Sequence, residues 1–194
     1  MFLIIAICGY LLGSIPFGYL IGKFLKVDLT KVGSGNIGAT NASRALGKKF
    51  GALVFILDLL KGSLPALIAM LMGFSPLQIV VIALSPILGH SFSIFMKFSG
   101  GKGVATSLGV LLAVAPDIFV FTIITGIFII FATKYVSLGS IFGSIVAIFL
   151  SIIFGKEWAI TLLMILSATV IIMKHIENIK RLVAGNENRI TGKG

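Results

Sequence analysis

The chain of 194 residues is 58% hydrophobic and 11% charged, with a mean hydropathy of +1.15. A soluble domain carries roughly 25% charged residues, so a water-soluble fold is excluded and the bilayer must solvate most of the surface. The net charge of +10 would suggest nucleic acid in a soluble protein, but here the basic residues lie between apolar stretches. Membrane orientation and attraction to anionic lipid or an anionic substrate account for them, and no nucleic-acid partner is expected.

Apolar runs broken by Gly, Pro and charge predict an all-α integral membrane protein of seven spans. In chain order these are Phe2–Leu25, Phe50–Met72, Pro76–Met96, Val104–Ala115, Ile118–Thr133, Ser137–Phe154 and Glu157–Met173. The fourth and fifth are short for a 30 Å core, so five spans with two re-entrant segments is the alternative. The first lacks the basic flank of a cleavable signal peptide and is expected to be a retained helix. With no composition shift and no repeat, residues 1–194 are expected to form one domain.

The charges orient the bundle. With the N-terminus outside, the inner face receives Lys23, Lys26, Lys31, Arg44, Lys48, Lys49, Lys97, Lys102, Lys134, Lys174, Lys180, Arg181, Arg189 and Lys193. Only Lys156 falls outside, and Lys61 lies within a span. This asymmetry predicts an odd number of spans and a cytoplasmic C-terminus.

Three inner segments carry the chemistry. The first is GSGNIGATNASR, Gly33 to Arg44. Its glycines let backbone N–H groups approach an anion and form a nest. Ser34, Asn36 and Thr40 add neutral donors, and Arg44 can grip phosphate with two bonds. The second contains Gly100-Gly101-Lys102-Gly103 and is followed by Thr106. A lysine among glycines at a helix start joins N–H groups, dipole and ammonium on one anion. It is not a Walker A loop, because Gly103 follows Lys102, so ATP hydrolysis is not expected. The third is KHIENIKRLVAGNE, Lys174 to Glu187. On a helix, His175 and Asn178 share a face while Glu177 points away and is expected to pair with a cation.

Within the spans, Asp58 and Lys61 are placed i,i+3 on one face, which predicts an inward-facing ion pair. His90 near the end of the third span is expected to be a hydrogen-bonded supporting residue. Ser137 and Ser140 open the sixth span, where their hydroxyls either face an inner cavity or cap the helix. The one cysteine, Cys8, excludes an intrachain disulfide.

Absences narrow the reaction. Only six acidic residues are present, with no HExxH, no Cys/His cluster and no GxSxG elbow, so no metal and no cofactor are expected. Phe95 and Lys180 stand five residues after His90 and His175, so an HxxxxD pair is missing. Three anion-binding segments with few acids or bases suit a transfer between phosphorylated molecules, one of them a lipid. An organic-phosphate transporter is a rival reading, but it predicts midplane polar groups and pseudo-symmetric halves, whereas the outer half is almost uncharged and no repeat is visible. A lipid-binding scaffold leaves the three segments unexplained.

GSGNIGATNASR, GGKGVAT and HIENIKR, in this order and spacing, resemble the three motifs of the bacterial integral-membrane glycerol-3-phosphate acyltransferases that use acyl phosphate. The resemblance extends through DLLKG at Asp58–Gly62 and GHSFSIF at Gly89–Phe95. It implies transfer of an acyl group from acyl phosphate to glycerol 3-phosphate at the cytoplasmic face of the inner membrane, in phospholipid synthesis. It also implies a soluble partner enzyme that makes acyl phosphate. Ser34, Asn36, His175 and Asn178 would then be catalytic. Arg44, Lys102, Gly100, Gly101, Gly103, Thr106 and Ser140 would bind substrate phosphate. Asp58, Lys61, His90 and Glu177 would give structural support.

Overall fold

The structure, a computed structural model, describes residues 1–190; Lys193 of the charge count lies outside them. It contains ten α-helices and, among the described residues, no strand. They are α1 (Phe2–Ser14), α2 (Phe17–Phe24), α3 (Ala39–Leu46), α4 (Lys48–Leu71), α5 (Pro76–Ser91), α6 (Val104–Val114), α7 (Pro116–Thr133), α8 (Val136–Ile153), α9 (Trp158–Lys174) and α10 (Ile176–Val183).

Side chains are distributed as in a protein dissolved in lipid. Ile4, Ile7, Leu60, Leu64, Ile124, Phe128, Phe131 and Phe149 are exposed around the outside. Contiguous apolar surface of this extent cannot face water. Four helical stretches are long and apolar enough to cross a bilayer: Phe2–Phe24, Lys48–Leu71, Pro116–Thr133 and Val136–Ile153. A fifth arises if α9 and α10, bent by 59°, form one span. Helices α5 and α6 are apolar but shorter.

Several boundaries differ from the sequence expectation. The first span breaks at Ile15-Pro16, because proline disfavours a helical residue before it and has no N–H to donate. The third ends at Ser91, not Met96, because the chain turns there into a 3₁₀ turn, Ile94–Met96. The first inner loop is not all loop; its second half is α3. Each change shortens or bends an apolar run to let polar segments meet at one end of the bundle.

Small residues draw the helices together. Helix α4 packs on α6, α1 on α5, α7 on α8 and α8 on α9. At the α4–α6 crossing a Cβ on Gly62 would stand 2.1 Å from the Thr106 carbonyl oxygen, and one on Gly109 would stand 1.9 Å from that of Leu59. Backbone contact this close is how helices associate where lipid removes the hydrophobic drive between them. The largest apolar core joins Val80, Ala83 and Ile87 of α5 to Val110, Leu111 and Val114 of α6, with Ile118, Ala147, Leu163 and Met164.

A buried ionic knot braces the α1–α2 break. Lys61 Nζ lies 2.8 Å from Asp58 Oδ1 and donates to the Ile15 carbonyl at 2.8 Å. The ammonium also sits 5.4 Å from the centre of the Phe17 ring. His90 Nδ1 stands 3.5 Å from the same Asp58 oxygen. The predicted i,i+3 pair is therefore present and ties α4 to the break and to α5.

Candidate active site

The first inner segment is folded around Asn41, which is only 2% exposed. Its Nδ2 lies 3.1, 3.0 and 2.8 Å from the carbonyls of Leu29, Val32 and Asn36, and its Oδ1 accepts from the Ser34 N–H at 3.0 Å. Gly33 and Gly35 take positive φ, and a Cβ on Gly33 would meet the Asn41 oxygen. Asn36 Oδ1 accepts from the Gly38 N–H at 2.8 Å, where α3 begins. This wrapping places Ser34, Asn36, Thr40 and Arg44 on one wall.

The second segment is fastened to α5 and, through the turn before it, to α1. The Gly101 N–H donates to the His90 carbonyl at 3.1 Å, and Ser93 Oγ donates to the Ser14 carbonyl at 2.6 Å. Gly100 and Gly101 lie flush against His90, where no side chain would fit. Gly103, at φ 78°, turns the chain into α6. Lys102 is thereby aimed inward and donates to Asn178 Oδ1. Burial pulls the Lys102 ammonium down to about 8; Glu187 opposes the shift, while Arg181 and Arg44 add to it.

The third segment is set by the bend between α9 and α10. His175 occupies the bend, is 2% exposed, and places Nδ1 2.8 Å from the Ile171 carbonyl. That contact assigns the proton to Nδ1 and leaves Nε2 as the acceptor in the neutral ring. Burial, and then the Lys102 charge, lower His175 to about 4, against the opposing Ile171 bond and Glu187. The ring is therefore neutral at pH 7.

Glu187 ties the end of the chain to this cluster. It accepts from Asn178 Nδ2 at 2.6 Å, Ser137 Oγ at 2.9 Å and Arg181 Nε at 2.8 Å. Burial alone would raise its pKa, but these donors hold it below the usual glutamate value. Sequence reasoning gave no role to Asn41, Arg181 or Glu187. Their partners are five to twelve residues away or on another helix, and no periodicity links them.

These walls enclose a cavity of about 460 Å³. Ser34, Asn36, Arg44, Lys102, Gly103, Ser140, His175 and Asn178 line it, as do Asp58 and His90. Gly100, Gly101, Thr106, Lys61 and Glu177 are not among its lining residues. Thr106 is buried against Gly62 of α4, and Glu177 pairs with Lys180 at 2.8 Å on the exposed face of α10. Ser140 Oγ donates to the Val136 carbonyl at 2.9 Å. Among the described residues, no group of three or more His, Cys, Asp or Glu side chains could hold a metal. Away from the cationic end, the cavity runs as an apolar slot between α7, α8 and α9, past Ile127, Gly143, Ala147, Met164 and Ala168.

Fold and site together define a multi-pass helical membrane protein whose cavity joins a cationic, donor-rich end to an apolar slot. The model of the family described as Glycerol-3-phosphate acyltransferase matches residues 3–185, and the chain belongs to that family. It is an acyltransferase. A glycerol-3-phosphate acyltransferase of Aquifex aeolicus is 46% identical over 188 residues, covering 96% of this chain and 98% of the relative. One from Thermus thermophilus is 44% identical over 181 residues, covering 93% and 91%. The crystal structure of PlsY (YgiH), an integral membrane glycerol 3-phosphate acyltransferase in its glycerol 3-phosphate form, aligns with a TM-score of 0.94 at 46% identity. That alignment covers 97% of this chain and 94% of the other. The lysophosphatidic acid form aligns at 0.91 and 45% identity.

Proposed function

We propose that this protein transfers a fatty acyl group from acyl phosphate to the 1-hydroxyl of glycerol 3-phosphate, giving 1-acyl-glycerol 3-phosphate and phosphate, in phospholipid synthesis. The observation that carries this reading is one cavity joining a cationic, donor-rich end to an apolar slot. That combination accommodates phosphate groups and an acyl chain at once. The family and the glycerol 3-phosphate and lysophosphatidic acid forms of the solved relative support it.

In this mechanism Arg44 and Lys102 neutralise the phosphates, assisted by Gly103 and Ser140. The glycines at 100 and 101 act by letting the loop lie on His90 and hold Lys102 in place. Ser34, Asn36 and Asn178 position glycerol 3-phosphate and stabilise the oxyanion, while His175 Nε2, an acceptor in the neutral ring, takes a hydrogen bond from a glycerol hydroxyl and orients it. The substrate hydroxyl attacks the acyl carbonyl, the new ester C–O bond forms, and phosphate leaves with the electron pair of the broken bond. An acyl phosphate is already an activated anhydride, so holding two mutually repelling anions in line is the main task. A substrate phosphate oxygen takes the hydroxyl proton. His175 suits that role poorly, because a pKa of about 4 makes it a weak base at neutral pH. The same reading places the chain as one domain of seven spans in the bacterial inner membrane, with the site at the cytoplasmic face. A soluble enzyme there supplies acyl phosphate.

The test is phosphate release by purified protein in detergent given acyl phosphate and glycerol 3-phosphate. Release that requires both substrates is expected, as is its near-complete loss in Lys102→Ala. His175→Ala should lose less than about 10²-fold in kcat, the lower bound for a general base. No release from folded protein would sink the proposal.

A further inference from the structure

Two glycines in the slot have no packing reason to be glycine. A Cβ on Gly126 of α7 would meet only the Gly139 carbonyl, at 3.5 Å. A Cβ on Gly143 of α8 would meet Thr122 at 3.6 Å. Both are ordinary contacts, unlike Gly139, whose Cβ would stand 2.6 Å from Ile130. Glycine in a helix interior is less favourable than alanine. Both residues line the cavity, so what they preserve is its width.

The slot also ends. Thr122 lies eleven residues from the loop end of α7, Ala147 eleven from that of α8, and Met164 ten from that of α9. At a rise of 1.5 Å per residue, all three sit roughly 16 Å deep. They are its deepest lining residues on those helices. Beyond them the apolar core closes through Ile118 and Leu163. The Thr122 and Ser167 hydroxyls line the slot, both buried, with no partner among the described residues.

We infer that Thr122, Ala147 and Met164 form the floor of an acyl ruler, and that Gly126 and Gly143 hold its walls apart, so that these five residues select the length of the transferred chain. This rests on the acyl-phosphate reading above. Ala147 and Met164 set the limit because their side chains stand where the terminal methyl of a fitting chain arrives. A longer chain meets their surface, and a shorter one leaves apolar space unfilled.

The experiment measures kcat/KM for octanoyl and palmitoyl phosphate, with saturating glycerol 3-phosphate, in the full-length protein and three variants. Ala147→Leu raises the floor and shifts the octanoyl-to-palmitoyl ratio upward by about tenfold, the scale of a methylene misfit in an apolar pocket. Met164→Ala deepens it and shifts the ratio the other way. Gly143→Ala, whose added methyl has room, lowers both donors, keeps the KM for glycerol 3-phosphate, and leaves the thermal midpoint unchanged or higher. A structural role alone would depress both donors equally and leave the ratio fixed in the first two variants, which overturns the ruler. A Gly143→Ala variant matching the unsubstituted protein on both donors overturns it too. An unsubstituted protein that turns over neither donor refutes instead the acyl-phosphate reading beneath it.

Discussion

Lys102 shows how much a residue's surroundings matter. Its position among glycines is plain in the sequence; that it is buried against Asn178 and shares space with Arg44 and Arg181 is not. Burial brings its pKa to about 8 from 10.5. A lowered lysine pKa means that the ammonium is lost as pH rises through the lowered value, so anion binding weakens above pH 8 and not only near pH 10. The expected outcome is a rising KM for glycerol 3-phosphate above pH 8. In Lys102→Arg that rise should vanish, because guanidinium stays charged. A KM–pH profile of both proteins checks this. Asn41 marks the limit of residue-level reading. It stands in the same loop as Asn36 and looks interchangeable with it. Only the fold shows Asn41 buried and gathering three carbonyls.

At the scale of elements, the helices follow from apolar runs, and their ends follow from Pro16, Gly47, Gly103 and the His175 bend. Their mutual approach follows from glycine. Gly62→Ala would press a methyl into the Thr106 backbone and push α4 from α6. Overpacking of this kind costs about 1–3 kcal/mol, so a clear fall in the thermal midpoint in detergent is expected. Gly62 and Gly126 look alike in sequence, each a glycine inside an apolar helix. One is pinned by a neighbouring backbone and the other lines the cavity with room for a methyl, and only helix crossing separates them. The short helix α3 also escaped notice, because its residues Ala39–Leu46 carry polar side chains at positions that the fold alone shows to face the site.

For the whole molecule, orientation is the testable property. In a Cys8→Ser background, single cysteines replacing Gly73 or Lys156 should react with a membrane-impermeant thiol reagent on intact cells. Cysteines at positions 48, 97 and 134 should react only after the membrane is opened. External labelling at 97 would refute the seven-span path. The sequence by itself determined that lipid is the solvent, that the chain is helical, and that three segments concentrate glycines, neutral donors and basic side chains. These follow from composition and local spacing, which depend on neighbouring residues alone. Only the tertiary structure decided which side chains enclose the cavity, that Gly101 and Thr106 stand behind it, and that Glu187 returns to clasp Asn178 and Arg181. The same holds for the slot floor, where three residues from three helices reach one depth. Such convergence depends on helix crossing and on breaks within spans, and neither leaves a period in the sequence.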